Sequence, residues 1–247
     1  MATTVPTPGP TPGPTPAPSP WRTARVLAVR DETPNAKTLR LLLEAPSRHL
    51  AGQHYVLRLT APDGYTASRS YSVATAPDGT AEIELTVERL PGGEVSEFLH
   101  DVVEPGDELE VRGPIGGWFA WPGDVPVLGV AGGSGVVPLM AMLRQARRSG
   151  HPDLVRLLVS ARSPADLYYA DELPGPQSTV IYTRHAPPGA ARPPGRLTAA
   201  DLAPLVRDGD TAYVCGSPAF CDTVTDLLPG IGVPVDRIRV ERFGPSG

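Results

Sequence analysis

The 247-residue chain has few cysteines, almost no lysine and no long apolar run. Its two cysteines, Cys215 and Cys221, can form neither a disulfide framework nor an iron–sulfur site with four thiolate ligands. We therefore expect no metal and a reducing, cytoplasmic location. Lys37 is the only lysine among 22 basic residues, and a net charge of -5 makes nucleic acid an unexpected partner. No apolar segment approaches a membrane span, so no membrane partner is expected.

The first twenty residues differ from the rest because proline recurs there at almost every second position. The tetrapeptides TPGP, TPGP and TPAP follow one another between residues 7 and 18. Such a segment has almost nothing to bury and favours an extended, solvated state. Residues 1–20 are therefore predicted to be a disordered Pro-rich tail, and a spacer or docking segment is the alternative.

A buried strand, a glycine loop and a helix follow one another between Val125 and Arg148. Val127–Val130 is a short apolar run, and the loop that follows is Gly132–Gly135. The helix is predicted to begin at about Ser134 or Gly135, because Pro138 is tolerated only in a first turn. Bare glycines at a helix N-terminus expose backbone N–H groups that suit a pyrophosphate. A tight turn without a ligand is the alternative interpretation.

The first half of the chain has the pattern of short β-strands. Six candidate strands separated by turn residues lie between Trp21 and Trp121, and His54–Thr60 alternates apolar and polar residues. One helix-like segment, Val95–Val102, interrupts them. The pattern predicts a small closed antiparallel barrel.

From Asp124 onward, strand and helix patterns alternate, and Tyr168–Leu173 is among the predicted helices. This alternation predicts a doubly wound parallel α/β domain of about five strands. We place the domain boundary after residue 122, which gives a barrel over residues 21–122 and an α/β domain over 123–247.

Two motifs in this order resemble a known family. Arg69–Ser72 (RSYS) lies in the barrel half, and GGSGVVP (Gly132–Pro138) opens the α/β half. Together they resemble the ferredoxin–NADP reductase superfamily over Trp21–Gly247, and in detail the stand-alone bacterial ferredoxin reductases without a fused iron–sulfur domain. The resemblance implies a Greek-key FAD-binding barrel and an NAD(P)-binding domain. It also implies an enzyme that passes hydride from NADPH to FAD and then single electrons to a ferredoxin-type acceptor.

The resemblance assigns a first set of residues to the flavin. Arg69 would hold a flavin phosphate, Tyr71 would stack on the isoalloxazine ring and Ser72 would lie close to flavin N5. Gly93 begins a second glycine turn into a helix, and the resemblance assigns this turn and Ser96 to the flavin cofactor. The alternative is that Ser96 merely starts the helix and contacts no ligand. The complete set on the barrel is Arg69, Ser70, Tyr71, Ser72, Gly93, Val95 and Ser96.

A second set of residues is assigned to NAD(P)H and to the contact between the two cofactors. The resemblance places Gly133, Ser134 and Gly135 near the pyrophosphate. It places Arg162, Thr183 and Arg184 near the adenosine. It places Cys215, Gly216 and Pro218 near the nicotinamide. Phe243 would cover the flavin face opposite Tyr71, with Glu241 nearby. The predicted catalytic residues are Ser72, Cys215 and Glu241.

NADPH is expected to be preferred over NADH. Arg162 and Thr183-Arg184 follow two strands at the edge where open α/β sheets bind ligands. An arginine suits a 2′-phosphate, and no acidic residue stands immediately at either strand end. Asp166 is the one candidate for the opposite preference.

Two other functions are compatible with the motifs. One is an NAD(P)H:flavin reductase, or a reductase component that feeds an oxygenase, haem or molybdenum partner directly. The other is a nucleotide-binding regulatory module without catalysis, and the intact set of Arg69, Tyr71 and Ser72 argues against it.

Overall fold

The computed structural model describes residues 19–244. All but Ser19 and Pro20 of the predicted Pro-rich tail therefore lies outside the described residues, as do the last three residues of the chain. Within the described part of the chain, no helix is both long and apolar enough to cross a membrane.

The first domain is a six-stranded antiparallel sheet with the order β4-β3-β6-β1-β2-β5. A bridge between Val73 and Leu85, and a bond from Ala74 N to Glu84 O at 2.8 Å, join the outer strands β4 and β5 and close the barrel. Its strands are β1 (Arg22–Thr33), β2 (Ala36–Leu43), β3 (His54–Thr60), β4 (Thr66–Ser72), β5 (Glu82–Glu88) and β6 (Glu108–Ile115).

Alternation along the strands builds the barrel core. Leu39 and Leu41 on β2, and Leu57 on β3, are completely buried, while Arg40 and Leu42, the residues that follow the two leucines of β2, are exposed. Helix α1 (Glu94–Asp101) contributes Val95 and Leu99 to the same core. The predicted antiparallel barrel with one helical interruption is confirmed.

The second domain is a five-stranded parallel sheet with the order β11-β10-β7-β8-β9. Helix α2 lies on one face of it, and α3 and α4 lie on the other, which is the predicted doubly wound arrangement. The elements are β7 (Val127–Gly132), α2 (Val136–Arg148), β8 (Val155–Ala161), β9 (Ser178–Tyr182), α3 (Ala199–Leu202), β10 (Thr211–Gly216), α4 (Pro218–Leu227) and β11 (Ile238–Arg242).

The prediction of a helix over Tyr168–Leu173 is wrong. These residues form turns, and Tyr169 has a φ of 56°, which no right-handed helix can contain. The segment contacts the barrel instead: the Tyr169 hydroxyl oxygen lies 2.6 Å from Oγ1 of Thr86. A contact between residues so far apart along the chain left no trace in the local pattern.

The segment between the two sheets packs against both domains. Trp121 is completely buried and forms a bridge with Ala51 of the barrel. The ring of Phe119 meets Tyr213 of β10 edge to face, with the centroids 5.2 Å apart. The predicted boundary at residues 122 and 123 lies inside this segment and stays a prediction.

Candidate functional site

A cleft of about 670 Å³ lies between the barrel and the carboxyl edge of the parallel sheet. Open parallel sheets bind ligands at this edge. The barrel contributes residues of β4 and β5, and the α/β domain contributes the ends of β7, β8 and β11. The predicted site residues that line the cleft are Ser70, Tyr71, Ser72, Gly133, Ser134, Arg162, Thr183, Glu241 and Phe243.

Strand β4 presents three of the predicted flavin residues, Ser70, Tyr71 and Ser72, to the cleft. Ser72 is 4% exposed, and Tyr71 is half-buried against the barrel core. Burial raises the pKa of the Tyr71 phenol, so this side chain stays neutral. A neutral ring beside a buried hydroxyl suits the face and edge of a planar heterocycle.

Arg69 does not line the cleft. Its side chain is exposed, and its guanidinium donates to the carbonyl oxygen of Ser68 at 2.7 Å. Within residues 19–244 its guanidinium pairs with no carboxylate, so its charge is available to an anion. Its predicted contact with a flavin phosphate stays a prediction.

The glycine turn after β7 has a different role at each position. Gly133 has a φ of 55° and open space where a Cβ would be, and it lines the cleft. A Cβ on Gly135 would lie 2.1 Å from the carbonyl oxygen of Cys215, so only glycine lets the turn pack on β10. Residues Gly133–Gly135 form a 3₁₀ turn before α2 begins at Val136.

Helix α1 begins after Gly93, as predicted, but the side chains there face inward. Val95 is 1% and Ser96 is 5% exposed. The Ser96 hydroxyl donates to Gly93 O at 3.0 Å and accepts from Leu90 N at 3.2 Å. The serine therefore closes the turn that precedes the helix, and a ligand contact here would have to use backbone groups.

Arg162 and Thr183 line the far end of the cleft, after β8 and β9. Arg184 is exposed beside them, and its N–H donates to Arg162 O at 2.9 Å. Asp166 also lines this end and accepts a hydrogen bond from Ser163 Oγ at 2.5 Å. The cleft's far end thus contains both the arginine and the competing acid of the sequence analysis.

Cys215 lies beneath the cleft and not in its wall. It is completely buried at the end of β10, and burial, followed by the Glu241 carboxyl, raises the pKa of its thiol well above the usual value. Glu241, on β11, does line the cleft. Burial raises the pKa of Glu241 to about 7, and its Oε2 atom is buried without a hydrogen-bond partner.

Gly216 and Pro218 support the cleft wall without lining it. Gly216 is buried at the end of β10, and its carbonyl oxygen accepts from Phe243 N at 2.8 Å, which fixes the end of β11. Pro218 is the first residue of α4. The predicted contacts of both residues with nicotinamide stay predictions.

Several residues of the cleft were not predicted. Phe220 covers Gly132, where a Cβ would lie 2.7 Å from its ring, and it lines the cleft. Tyr168 follows β8, and loops after parallel strands form ligand sites, so its position along the chain was a usable signal. The other unpredicted residues of the cleft include Thr33, Asn35, His54, Thr86, Glu88, Leu90, Val137, Ser160 and Ser217. In residues 19–244, no three His, Cys, Asp or Glu side chains are grouped to hold a metal ion.

Two family models match the chain. The Oxidoreductase FAD-binding domain matches residues 23–119, and the Oxidoreductase NAD-binding domain matches residues 130–226. Their order is the order of the barrel and the parallel sheet.

Full-length relatives agree with these matches. Ferredoxin–NADP reductase B of Sorangium cellulosum is 35% identical over 89% of this chain and 96% of its own length. The ferredoxin–NAD(P)(+) reductase component of the naphthalene 1,2-dioxygenase system of Pseudomonas putida is 30% identical over 90% of this chain and 69% of its own length. Among solved structures, the flavohaem-like FAD/NAD-binding domain of a nitric oxide dioxygenase from Vibrio cholerae has a TM-score of 0.80 at 26% identity, covering 91% of this chain and 99% of that one.

Proposed function

Because this chain belongs to the ferredoxin–NADP reductase superfamily, we propose that it passes electrons from NADPH through FAD to a separate one-electron acceptor of the ferredoxin type. The chain is an FAD-dependent oxidoreductase with an FAD-binding and an NAD(P)-binding domain. The proposal concerns its preferred nucleotide, its acceptor and the residues that act.

The observation that carries this proposal is that one cleft is lined by both domains. Ser72 and Tyr71 from the barrel share it with Gly133 and Phe243 from the α/β domain. Two ligands, each held by one domain, can therefore meet face to face inside it. Bringing two reactants together in a fixed geometry is a large part of what an enzyme contributes to such a transfer.

The residues present fit FAD and a nicotinamide nucleotide. The cleft volume of about 670 Å³ is typical of small-molecule sites. Open space at Gly133, at the turn into α2, leaves room for a phosphate against backbone N–H groups. Tyr71 and Phe243 supply aromatic surface for a flavin ring, and the guanidinium of Arg69, which pairs with no carboxylate within residues 19–244, supplies a cation for a phosphate.

When bound, FAD accepts a hydride from the nicotinamide and releases electrons one at a time, which is chemistry that no side chain of this protein can perform. Ser72, which is buried at the cleft, would orient the flavin through its hydroxyl group. Glu241 would keep a neutral carboxyl in the cleft below pH 7, because burial raises its pKa to about 7. Phe243 and Phe220 would exclude water from the space between the two rings.

Arg162 supports the preference for NADPH, because it lines the cleft beyond β8 with no carboxylate bound to it among residues 19–244. Asp166, the nearby acid, already accepts a bond from Ser163. A 2′-phosphate at this end would meet the guanidinium of Arg162, with Arg184 beside it.

The acceptor is proposed to be a separate protein because the chain has only two cysteines, Cys215 and Cys221, and both are buried. Two free thiols also suit a cytoplasmic location, which we propose for this protein. The naphthalene dioxygenase relative favours a second candidate, in which the chain is the reductase component of an oxygenase system and delivers electrons within that system.

The acceptor experiment separates these functions. The NADPH-reduced protein is mixed without oxygen with a [2Fe–2S] ferredoxin, and in parallel with free FAD at equal concentration. We expect rapid reduction of the ferredoxin and slow reduction of free FAD. The reverse order would identify a flavin reductase, and reduction of neither would point to direct delivery to an oxygenase. Stoichiometric iron in the purified chain would contradict a separate iron–sulfur acceptor.

A further inference from the structure

The segment that follows β8 connects the cleft to the barrel. Asp166 and Tyr168 line the cleft, and the next residue, Tyr169, is 3% exposed. The Tyr169 hydroxyl lies 2.6 Å from Thr86 Oγ1, and its backbone N–H donates to Glu32 Oε2 at 3.0 Å. One residue of the α/β domain is thus held by the barrel at both its side chain and its backbone.

These bonds form a closed circuit with a fixed direction. Thr38 Oγ1 donates to Glu32 Oε1 at 2.7 Å, because an ionised carboxylate can only accept. The Thr38 hydroxyl has no second proton, so Thr86 must donate to it across 2.7 Å. By the same reasoning, the Tyr169 hydroxyl donates to Thr86. Every hydroxyl in the circuit is therefore oriented toward the carboxylate of Glu32.

The backbone of Tyr169 shows that this contact dominates the local conformation. Its φ of 56° places a bulky side chain in the left-handed region, which costs free energy for any residue but glycine. Its carbonyl oxygen accepts from Glu172 N at 2.8 Å and from Leu173 N at 3.0 Å. The bonds to the barrel and this turn together hold the backbone there.

Arg144 of α2 extends the same connection. Its guanidinium carbon lies 4.9 Å from the centre of the Tyr169 ring, and Nε donates to Glu172 Oε1 at 3.1 Å. Its NH1 group donates to Ala74 O at 3.0 Å and to Glu84 Oε2 at 3.2 Å, both in the barrel. One side chain therefore joins the helix, the segment after β8 and the barrel.

The residues joined by these bonds line the cleft or lie next to residues that line it. Helix α2 begins at the glycine turn of Gly133, and Tyr168 is the neighbour of Tyr169. Thr86 itself lines the cleft. The distance across the cleft therefore depends on these bonds, and a displacement of about 1 Å between reacting groups can lower a rate about a hundred-fold.

We propose that Tyr169, Arg144 and Glu172 form, with Glu32, Thr38 and Thr86 of the barrel, a clasp that fixes the spacing of the two cofactor-binding domains, and that Tyr169 is a positioning residue for hydride transfer. The proposal rests on the proposed function above. The clasp affects the rate of hydride transfer and leaves the affinity of each domain for its own cofactor unchanged. The reason is that none of the six clasp residues is a predicted contact of FAD or of NADPH.

The test is Tyr169→Phe, which removes the bond to Thr86 and keeps the ring over Arg144. The matched control is Tyr55→Phe, because the Tyr55 hydroxyl is also buried but bonds to Ser47 inside the barrel, at 3.0 Å. Flavin reduction is followed by stopped-flow over a range of NADPH concentrations. We expect Tyr169→Phe to lower the limiting rate about tenfold, with FAD affinity and the NADPH concentration for half-maximal rate changed less than about twofold. Tyr55→Phe should match the wild type.

A second pair of variants tests the circuit away from the cleft. Thr38 is 2% exposed in the barrel and does not line the cleft. Thr38→Val interrupts the circuit, and Thr38→Ser keeps the hydroxyl, so the first should lower the limiting rate and the second should restore it. A limiting rate within twofold of wild type in both Tyr169→Phe and Thr38→Val, or an equal loss in Tyr55→Phe, would overturn the clasp. Failure of NADPH to reduce the wild-type flavin would instead contradict the proposed function.

Discussion

Cys215 and Glu241 are register partners on the neighbouring parallel strands β10 and β11. The carboxyl of Glu241 lies in the cleft wall, and the thiol of Cys215 is completely buried behind it. Burial, followed by the nearby carboxyl of Glu241, raises the pKa of the Cys215 thiol, and burial alone raises the pKa of Glu241 to about 7. The cleft wall therefore contains a titratable group whose pKa lies near neutral pH.

The first prediction is that flavin reduction becomes slower as pH rises through about 7. Hydride transfer moves negative charge from the nicotinamide onto the flavin, and a neutral Glu241 beside the flavin tolerates this charge whereas a carboxylate opposes it. The raised pKa means that the neutral form is present below pH 7 and is lost above it. We expect a fall of about tenfold between about pH 6 and about pH 8, measured at saturating NADPH.

Glu241→Gln should remove this pH dependence and keep the low-pH rate throughout. Glu108→Gln, on an exposed position of β6, is the control and should titrate like the wild type. An unchanged profile in Glu241→Gln would assign the inflexion to another group.

The second prediction concerns Cys215→Ala. The thiol supports the cleft floor at the end of β10, so its loss should slow flavin reduction at saturating NADPH by about tenfold and leave FAD affinity nearly unchanged. Cys221→Ala is the matched control, because Cys221 is equally buried but belongs to the core on the other face of the sheet. Equal rates in Cys215→Ala and wild type would limit Cys215 to a packing role.

The third prediction is that Arg69→Ala weakens FAD binding by about ten- to a hundred-fold, the usual contribution of one charge-assisted hydrogen bond. The exposed guanidinium of Arg69 makes its one side-chain hydrogen bond within residues 19–244 to Ser68 O, so it can meet a phosphate. Flavin fluorescence during dilution measures the affinity. Arg25→Ala, on an exposed position of β1, should behave as wild type. Unchanged retention of FAD by Arg69→Ala would remove Arg69 from the site.

The fourth prediction is that NADPH exceeds NADH in kcat/KM, by up to about a hundred-fold for a phosphate held by one or two arginines. Arg162→Ala and Arg184→Ala should each reduce this ratio about tenfold, and the effect of Arg162 should be larger because only it lines the cleft. Arg148→Ala, at the far end of α2, is the control. A ratio that neither variant alters would place the 2′-phosphate elsewhere.

Much of the fold was predictable because its signals are local. Alternation of apolar and polar residues predicted both ends of strand β3, His54–Thr60, correctly. The Gly132–Gly135 turn predicted the start of α2 to within two residues. The predicted helix around Tyr169 was wrong because the conformation of this residue is set by Thr86 and Glu32, which are far away in the sequence.

The site was predictable to a smaller extent. Ser72 and Gly133 belong to contiguous motifs, and both line the cleft. Phe220 and Thr86 line it because of the way helices and strands pack, which no motif records. Cys215 was expected in the wall and lies behind it, because the strand ends with its side chain turned into the core.

An anaerobic titration of the purified protein with NADPH measures whether NADPH reduces the bound FAD. We predict a yellow protein whose flavin absorbance disappears on addition of about one equivalent of NADPH per FAD, since one hydride carries both electrons. A colourless protein, or a yellow protein that keeps its absorbance in excess NADPH, would contradict it.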